Sequence, residues 1–442
     1  MVSLYKAKAK PSRLGQQIKL QIDNLDYEAN GISRYQQKIA FVSGALPGEQ
    51  VLASVTEDKA DYLKARTIKV LQQSAERVEP FCPSFTRCGG CQLQYLSAEQ
   101  QRLYKQQGVQ ALLCHQLGLQ TLPWQPMLSA ADRHYRRKAR IGLWYDKKQR
   151  QLTVGFRQAG SKQLAEVTHC DVLAAPLQPI FATLKQVVPR LSRPESVTHA
   201  EVILADEQPV VVIRHVAALT AAEQQAFVSV WPDASWYGEA EPGKFTSWQN
   251  ADQPLRYTLA EQGISLEFAA DDFIQVNTDV NQLLVSQAVA WLAPTAEDTI
   301  LDLYAGMGNF SLALANSAIL VHGVEGLSKM VQQATENAQL NQLQNVHFWQ
   351  ADLHRPWGKT AWNQPIYQKV LLDPARAGAE GAVKQLLVLK PAQILYVSCN
   401  PATFARDAKV LLAAGYQLQK LAGVDMFPHT AHLELMALFS RQ

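Results

Sequence analysis

The stretch YVSCNPATFARD, residues 396–407, sets a cysteine directly behind the apolar run ILYV and follows it at once with Asn-Pro. A short apolar run reads as a buried strand, and Asn-Pro imposes a turn after it. Cys399 therefore emerges at the mouth of a strand. A strand cysteine is most often a small core hydrophobe. One at a rim can instead meet a substrate as a thiolate nucleophile.

The same rim carries other chemistry. In TILDLYAGMGNFSLALA an apolar strand runs into a glycine turn, Gly306 and Gly308, that opens a helix. Open α/β sheets bind adenosine-bearing ligands in this place, beyond the carboxyl ends of their strands. Ser311 stands where a dinucleotide fingerprint wants a third glycine, and no Lys-Ser/Thr follows, so neither NAD nor a P-loop fits well. S-adenosylmethionine fits better, because it has no pyrophosphate. The next two strands close on Glu325, suited to ribose hydroxyls, and Asp352, suited to an adenine amino group. A fourth strand ends in Asp373 of LLDPARAG.

A thiolate beside a methyl donor points to an acceptor carbon that needs activation, such as C5 of uracil. Addition at C6 loads electron density onto C5, and a base must later remove the C5 proton. DMFPHTAHLELMALFS offers His429, His432 and Glu434. Glu434 interrupts an apolar strand, where a carboxylate is costly unless used or exposed, and is chosen as the base.

The elements that must position these groups form three regions. The chain has 442 residues and a formal net charge of +3. That length suits about three domains, and that charge identifies no partner. The sequence lacks an apolar run of transmembrane length and an N-terminal signal, so a cytoplasmic protein is expected. Residues 1–75 read as a small β-barrel behind a basic tail containing Lys6, Lys8, Lys10, Arg13 and Lys19. Residues 76–270 are mixed, with a helix at about 97–119 expected to pack on the last domain. Residues 271–442 alternate strand and helix, the pattern of a doubly wound sheet.

FCPSFTRCGGCQ holds Cys82, Cys88 and Cys91 in a Gly- and Pro-bearing loop. Such spacing reads as metal ligands. Cys170, in the polar loop VTHCDVL, is a better fourth ligand than Cys114, which lies in a helix and reads as core. Four thiolates suit zinc or an iron–sulfur cluster equally.

FIQVN, LDLYAGMGNF, LLDPARAG, VSCNPATFARD and DMFPHTAHLE, in that order, resemble the motifs of the bacterial RNA uracil-5-methyltransferases that use S-adenosylmethionine. The resemblance covers nearly the whole chain. It implies Cys399 as nucleophile and Glu434 as base. It also implies cofactor and uracil contacts at Gln275, Tyr304, Gly306, Asn309, Glu325, Asp352 and Asp373, and a stacking face at Phe273. Ala305 departs from the cysteine frequent there in relatives, away from the chemistry. The fold implied is an OB-like TRAM barrel, a central α+β domain with a 4Fe–4S cluster on Cys82, Cys88, Cys91 and Cys170, and a Rossmann-like class I methyltransferase domain. Within the family, barrel and cysteine loop together imply a 23S ribosomal RNA enzyme, since the transfer RNA enzyme is expected to lack both. Arg136, Arg137 and Arg140 of HYRRKAR are then expected to line the RNA groove, and the basic tail to touch phosphates. No DNA or membrane partner is expected, and the enzyme is expected to be a monomer. The alternatives are a transfer RNA uracil-5-methyltransferase and a non-catalytic RNA-binding iron–sulfur protein. A DNA amino-methyltransferase is disfavoured, because Asp-Pro-Ala-Arg replaces Asp/Asn-Pro-Pro-aromatic at 373–376.

Overall fold

A computed structural model describes residues 13–206, 208–249 and 254–441. Lys6, Lys8 and Lys10 lie outside the described residues. The chain divides into two compact units, one of residues 1–81 and 92–111, the other of residues 82–91 and 112–442.

In the first unit six strands form one sheet, with Gln17–Gln21 beside Gln50–Asp58, then Tyr62–Gln72, Lys38–Ser43, Gly31–Tyr35 and Asn24–Leu25. Alternation explains the core: Ile18 and Leu20, Ala40 and Val42, and Val51, Ala53 and Val55 point inward together. The LPGE turn is more than a connection. Glu49 is fully buried and takes the Arg77 guanidinium on both oxygens, at 2.6 and 2.8 Å. The helix Ala98–Leu117 begins, as expected, after Ser97, whose hydroxyl accepts from the Gln100 N–H. Its residues up to 111 belong to the barrel unit rather than to the methyltransferase domain. Gly108 explains why: the backbone of Asp26 and Tyr27 passes within 3 Å of where a side chain would start.

The second unit contains two seven-stranded sheets and a hairpin, Leu255–Leu259 with Ile264–Phe268. One sheet runs Lys244–Ser247, Ser235–Glu241, Gln208–His215, Val197–Ala205, Lys138–Asp146, Gln151–Arg157, Leu164–Glu166. The helices Pro179–Val187 and Ala221–Val230 cover one face of it, burying Ile141, Leu143, Val154, Val202, Ile213 and Trp236. The other sheet is the strand–helix alternation read from the sequence, in the order Val346–Gln350, Leu320–Glu325, Thr299–Leu303, Lys369–Leu372, Gln393–Ser398, Glu434–Ser440, Gln417–Val424. Its first five strands are parallel. The last strand of the chain, Glu434–Ser440, runs antiparallel between its two neighbours. A reversed strand brings its first residue, not its last, to the rim where the parallel strands end.

Candidate active site

The carboxyl rim of the second sheet gathers the expected chemistry. Cys399 follows the last residue of strand Gln393–Ser398. Asn-Pro proves to be a helix start: the Asn400 side chain accepts from the Ala402 N–H at 3.0 Å, and Pro401 occupies the first turn of Pro401–Ala413. Ser398 pairs with Leu435 in the reversed strand, so Glu434 sits across from Cys399. Glu434 is 6% exposed. Its carboxyl therefore costs free energy when charged, and burial first, then the Asp373 charge, push it up to about 8, against an opposing pull from Arg376. Asp373, directly after strand Lys369–Leu372, is lifted by burial to about 7. The Cys399 thiol is pushed up to about 11 by burial and by the charges of Glu434 and Asp373; Arg376 favours the thiolate. A thiol, a base poised near neutrality and one nearby cation are the elements of thiolate addition followed by proton removal.

The loop after Asp373 is fastened to the helix after Cys399. Asn400 and Thr403 side chains donate to the Arg376 carbonyl at 3.1 and 3.2 Å. Asp407, fully buried, accepts from the Ala379 N–H and the Tyr396 hydroxyl, both at 2.7 Å, and from Arg406 at 2.8 Å. Gly378, at φ +76°, passes so close that a side chain would strike Arg406 and Asp407.

Beside these groups lies a cradle suited to an adenosyl ligand. Tyr304, Gly306 and Gly308 all take positive φ, and a side chain on Gly306 would point into open space. Glu325 closes the next strand, accepting from the N–H groups of Gly306 at 3.1 Å, Gly326 at 2.8 Å and Leu327 at 3.0 Å. Gly326 and Leu327 share Oε1, so Oε2 keeps a lone pair for a hydroxyl. The Tyr304 hydroxyl and Asp302 Oδ1 are buried and have no hydrogen-bond partner among the described residues. Polar atoms so placed await a ligand or water. Asp302, fully buried in its strand, is raised to about 7 by burial first, and Ser311 donates to it at 2.5 Å. Asp352 lies two residues past its strand, exposed, beside Arg355 at 3.1 Å.

The FIQVN segment meets this cradle through a buried relay. The Arg137 N–H donates to the Val276 carbonyl at 2.8 Å and its Nε to the Gln275 carbonyl at 2.7 Å. Its guanidinium stacks 4.4 Å over the Tyr257 ring, whose hydroxyl donates to Asn309 at 3.0 Å. Asn309 in turn exchanges hydrogen bonds with Asn281. Lys138 holds the carbonyls of Ala270 and Asp272 at 2.8 Å, leaving Phe273 74% exposed on the loop they fix. This corrects the expectation that Arg137 lines an RNA groove: at 2% exposure it is an internal clamp. Arg136 is half-buried and donates to the Lys138 carbonyl at 3.0 Å, while Arg140 is exposed.

The cysteine loop is tied to the central sheet. Gly89 donates to the Arg157 carbonyl at 2.9 Å, Cys88 bridges to Gln158, and Ser84 donates to the Glu166 carbonyl at 3.3 Å. Cys170 lies beyond the next strand, bracketed by the Gln178 amide at 3.2 and 2.7 Å. Burial raises the thiols of Cys82, Cys88 and Cys170, and the charge of Cys82 adds to that of the other two. No group of three or more His, Cys, Asp or Glu side chains among the described residues is arranged to hold a metal ion. Cys114 is half-buried, its thiol toward the Gln120 carbonyl at 3.8 Å.

Sequence reasoning missed Asp302, Arg376, Asp407 and the Tyr257–Asn281 relay. Asp302 interrupts an apolar strand as Glu434 does, so the same signal could have found it. Asp407 sits in an ordinary helical pattern and carries no such signal.

Comparison with known proteins agrees with this geometry. The tRNA (Uracil-5-)-methyltransferase family matches residues 249–353 and 361–442, and the TRAM domain matches residues 11–68. The chain is 44% identical over 423 residues to the 23S rRNA (uracil(1939)-C(5))-methyltransferase RlmD of Vibrio cholerae, covering 95% of both chains. It is 41% identical over 468 residues to the protein of that name from Colwellia psychrerythraea, covering 100% of this chain and 99% of the relative. The crystal structure of Pyrococcus abyssi tRNA (uracil-54, C5)-methyltransferase in complex with S-adenosyl-L-homocysteine superposes with a TM-score of 0.72. It is 22% identical, over 96% of this chain and 100% of that one, and shares the fold.

The raised Glu434 carboxyl has a consequence for stability. The unfolded chain releases this proton near 4.5, the folded chain near 8. The stabilisation from holding the proton is therefore complete below 4.5 and is lost as pH rises to about 8. Glu434→Gln is expected to melt like wild type near pH 4.5 and to be more stable by roughly 3 to 5 kcal/mol at pH 8.5. Equal melting of the two proteins at both pH values would show that Glu434 is not held protonated.

Proposed function

The chain belongs to the RNA uracil-5-methyltransferase family, and from that premise we propose that it methylates C5 of one uridine in 23S ribosomal RNA, with S-adenosylmethionine as donor. The observation that carries the mechanism is the pairing of Ser398 with Leu435, which sets Glu434 across from Cys399 in a buried rim. Cys399 gives its proton to solvent, a loss that the Arg376 charge favours, and the thiolate adds to C6 of the uracil, making C5 nucleophilic. S-adenosylmethionine, when bound, supplies an electrophilic methyl group, which C5 takes up as the sulfonium leaves as a neutral thioether. Glu434 then accepts the C5 proton, the C5–C6 double bond reforms, and the Cys399 thiolate departs. Asp373 and Gln275 face the base, Phe273 offers a stacking surface for the flipped nucleotide, and Tyr304, Gly306, Asn309, Glu325 and Asp352 hold the donor.

The ribosomal substrate rests on full-length identity to enzymes of that name. Architecture alone does not discriminate, because the Pyrococcus abyssi transfer RNA enzyme matches this fold over its whole length. That transfer RNA enzyme spans 96% of this chain, so length does not separate the two substrate classes. The barrel and the exposed Arg140 are assigned to RNA, and the enzyme is placed in the cytoplasm with its substrate. No described helix is long and apolar enough to cross a membrane.

A 4Fe–4S cluster on Cys82, Cys88, Cys91 and Cys170 completes the reading. Such a cluster spreads its thiolates wider than one ion does. Burial of three of these thiols disfavours their charge until a metal compensates it. Its role is to hold the loop on the sheet, since the methyl transfer moves no single electrons. Anaerobically purified protein is expected to be brown and to carry iron and sulfide, both lowered in Cys170→Ser. A colourless protein with one zinc would contradict the cluster.

The activity is tested by transferring labelled methyl groups to a 23S transcript and to transfer RNA. Wild type should label the ribosomal transcript, and Cys399→Ala should label neither. Glu434→Gln should methylate but release product about 10²- to 10⁴-fold more slowly. Labelling of transfer RNA alone would reassign the substrate, and activity in Cys399→Ala would remove the nucleophile.

A further inference from the structure

The central sheet has a second face, opposite the one its helices cover. At one end that face joins the methyltransferase core through Ile203, Val210 and Val212. At the other end it is open except where the Leu164 side chain lies over Gly142. Arg140, Gly142 and Trp144 alternate onto it along one strand. His199 pairs with Gly142, Arg214 with His199, and Glu239 with Arg214, so these side chains share the face. Gly142 also pairs with Gly155, which brings Arg157, two residues on, to the same side. Trp144 is 66% exposed there, an indole in water.

The charge on this open end is lopsided. Glu201 is matched by Lys138 at 3.2 Å, Glu239 by Arg214 at 3.1 Å, and Glu195 by Lys147 at 3.0 Å. Arg140 and Arg157 are exposed and form no ion pair among the described residues. The hairpin tip beyond Trp144 adds Lys148 and Arg150, both exposed, against the single acid Asp146. His199 senses the cluster: burial first, then Arg140, Arg157 and Arg214 depress its pKa. An exposed aromatic ring among uncompensated arginines is the combination that binds an unpaired nucleic-acid strand, the ring taking a base and the cations its phosphates.

We propose that this open face is an RNA-binding surface separate from the catalytic rim, with Trp144 stacking an unpaired base of the substrate and Arg140 and Arg157 holding the adjoining phosphates. The proposal rests on the RNA-methyltransferase reading for its partner. It also gives the cysteine loop a consequence. The Arg157 carbonyl accepts from Gly89, so that loop fixes the strand end from which Arg157 projects.

The test is filter binding of a 23S ribosomal RNA transcript over a salt series, with Trp144→Ala, Trp144→Phe and the double variant Arg140→Gln/Arg157→Gln. All three replace exposed side chains and should melt like wild type. Trp144→Ala is expected to weaken binding about 5- to 150-fold, the range of one base stack, and Trp144→Phe to recover most of it. The double variant is expected to flatten the salt dependence by about 1.5 to 2 ion equivalents. Binding within twofold of wild type in Trp144→Ala, with an unchanged salt slope in the double variant, overturns the surface while wild type still methylates the transcript. If wild type binds and methylates transfer RNA instead, the substrate reading fails alone, and the same variants on that RNA decide the surface. A wild type that binds neither RNA overturns both.

Discussion

The antiparallel insertion of the last strand is the constraint on which the site depends. Five parallel strands deliver their carboxyl ends to one rim, and with them Tyr304, Glu325, Asp373 and Cys399. On the mechanism we propose, the base for the C5 proton comes from the same rim and stands across from the thiol. The reversed strand does this by pairing Leu435 with Ser398, so its first residue, Glu434, enters at the rim. The position is dry, and dryness lifts the carboxyl into the range where it can both accept and hold a proton.

The rest of the second unit keeps that juxtaposition rigid. Asp407 binds the loop after Asp373 to the helix after Cys399, so acid and thiol cannot drift apart independently. Arg137 and Tyr257 join the Gln275 segment to Asn309 beside the glycine turn. Arg137 is a buried charge held by carbonyls and an aromatic face, and Asp407 one held by a backbone N–H, a hydroxyl and Arg406. A buried charge left without its partners is strongly destabilising, which fixes a single arrangement. Precision at the rim thus comes from groups that touch no substrate.

Much of this was legible in the sequence, because the rim residues break patterns. Cys399, Glu434 and Asp373 each stand at the edge of an apolar run, and the glycine turn after ILDL marks the cradle. The main strands read correctly wherever alternation or apolar runs were clear. What stayed hidden was long-range. Arg137 sits in a basic cluster that looks solvated, and only its contacts with residues more than a hundred positions away reveal a clamp. The helix at 98–117 gave no sign of which unit it would join, since Gly108 matters only once the 26–27 turn lies against it. The reversal of the last strand is likewise a matter of topology, for which LELMALF carries no mark.

The central claim is that Cys399 becomes bonded to C6 of the target uracil. Ribosomal RNA transcribed with 5-fluorouridine tests it directly, because fluorine at C5 cannot be removed as a proton. Incubated with protein and S-adenosylmethionine and run on a denaturing gel, the RNA should carry wild-type protein as a stable shifted band. Cys399→Ala should give none. Absence of any adduct from wild type that methylates the unsubstituted transcript would contradict the thiolate route.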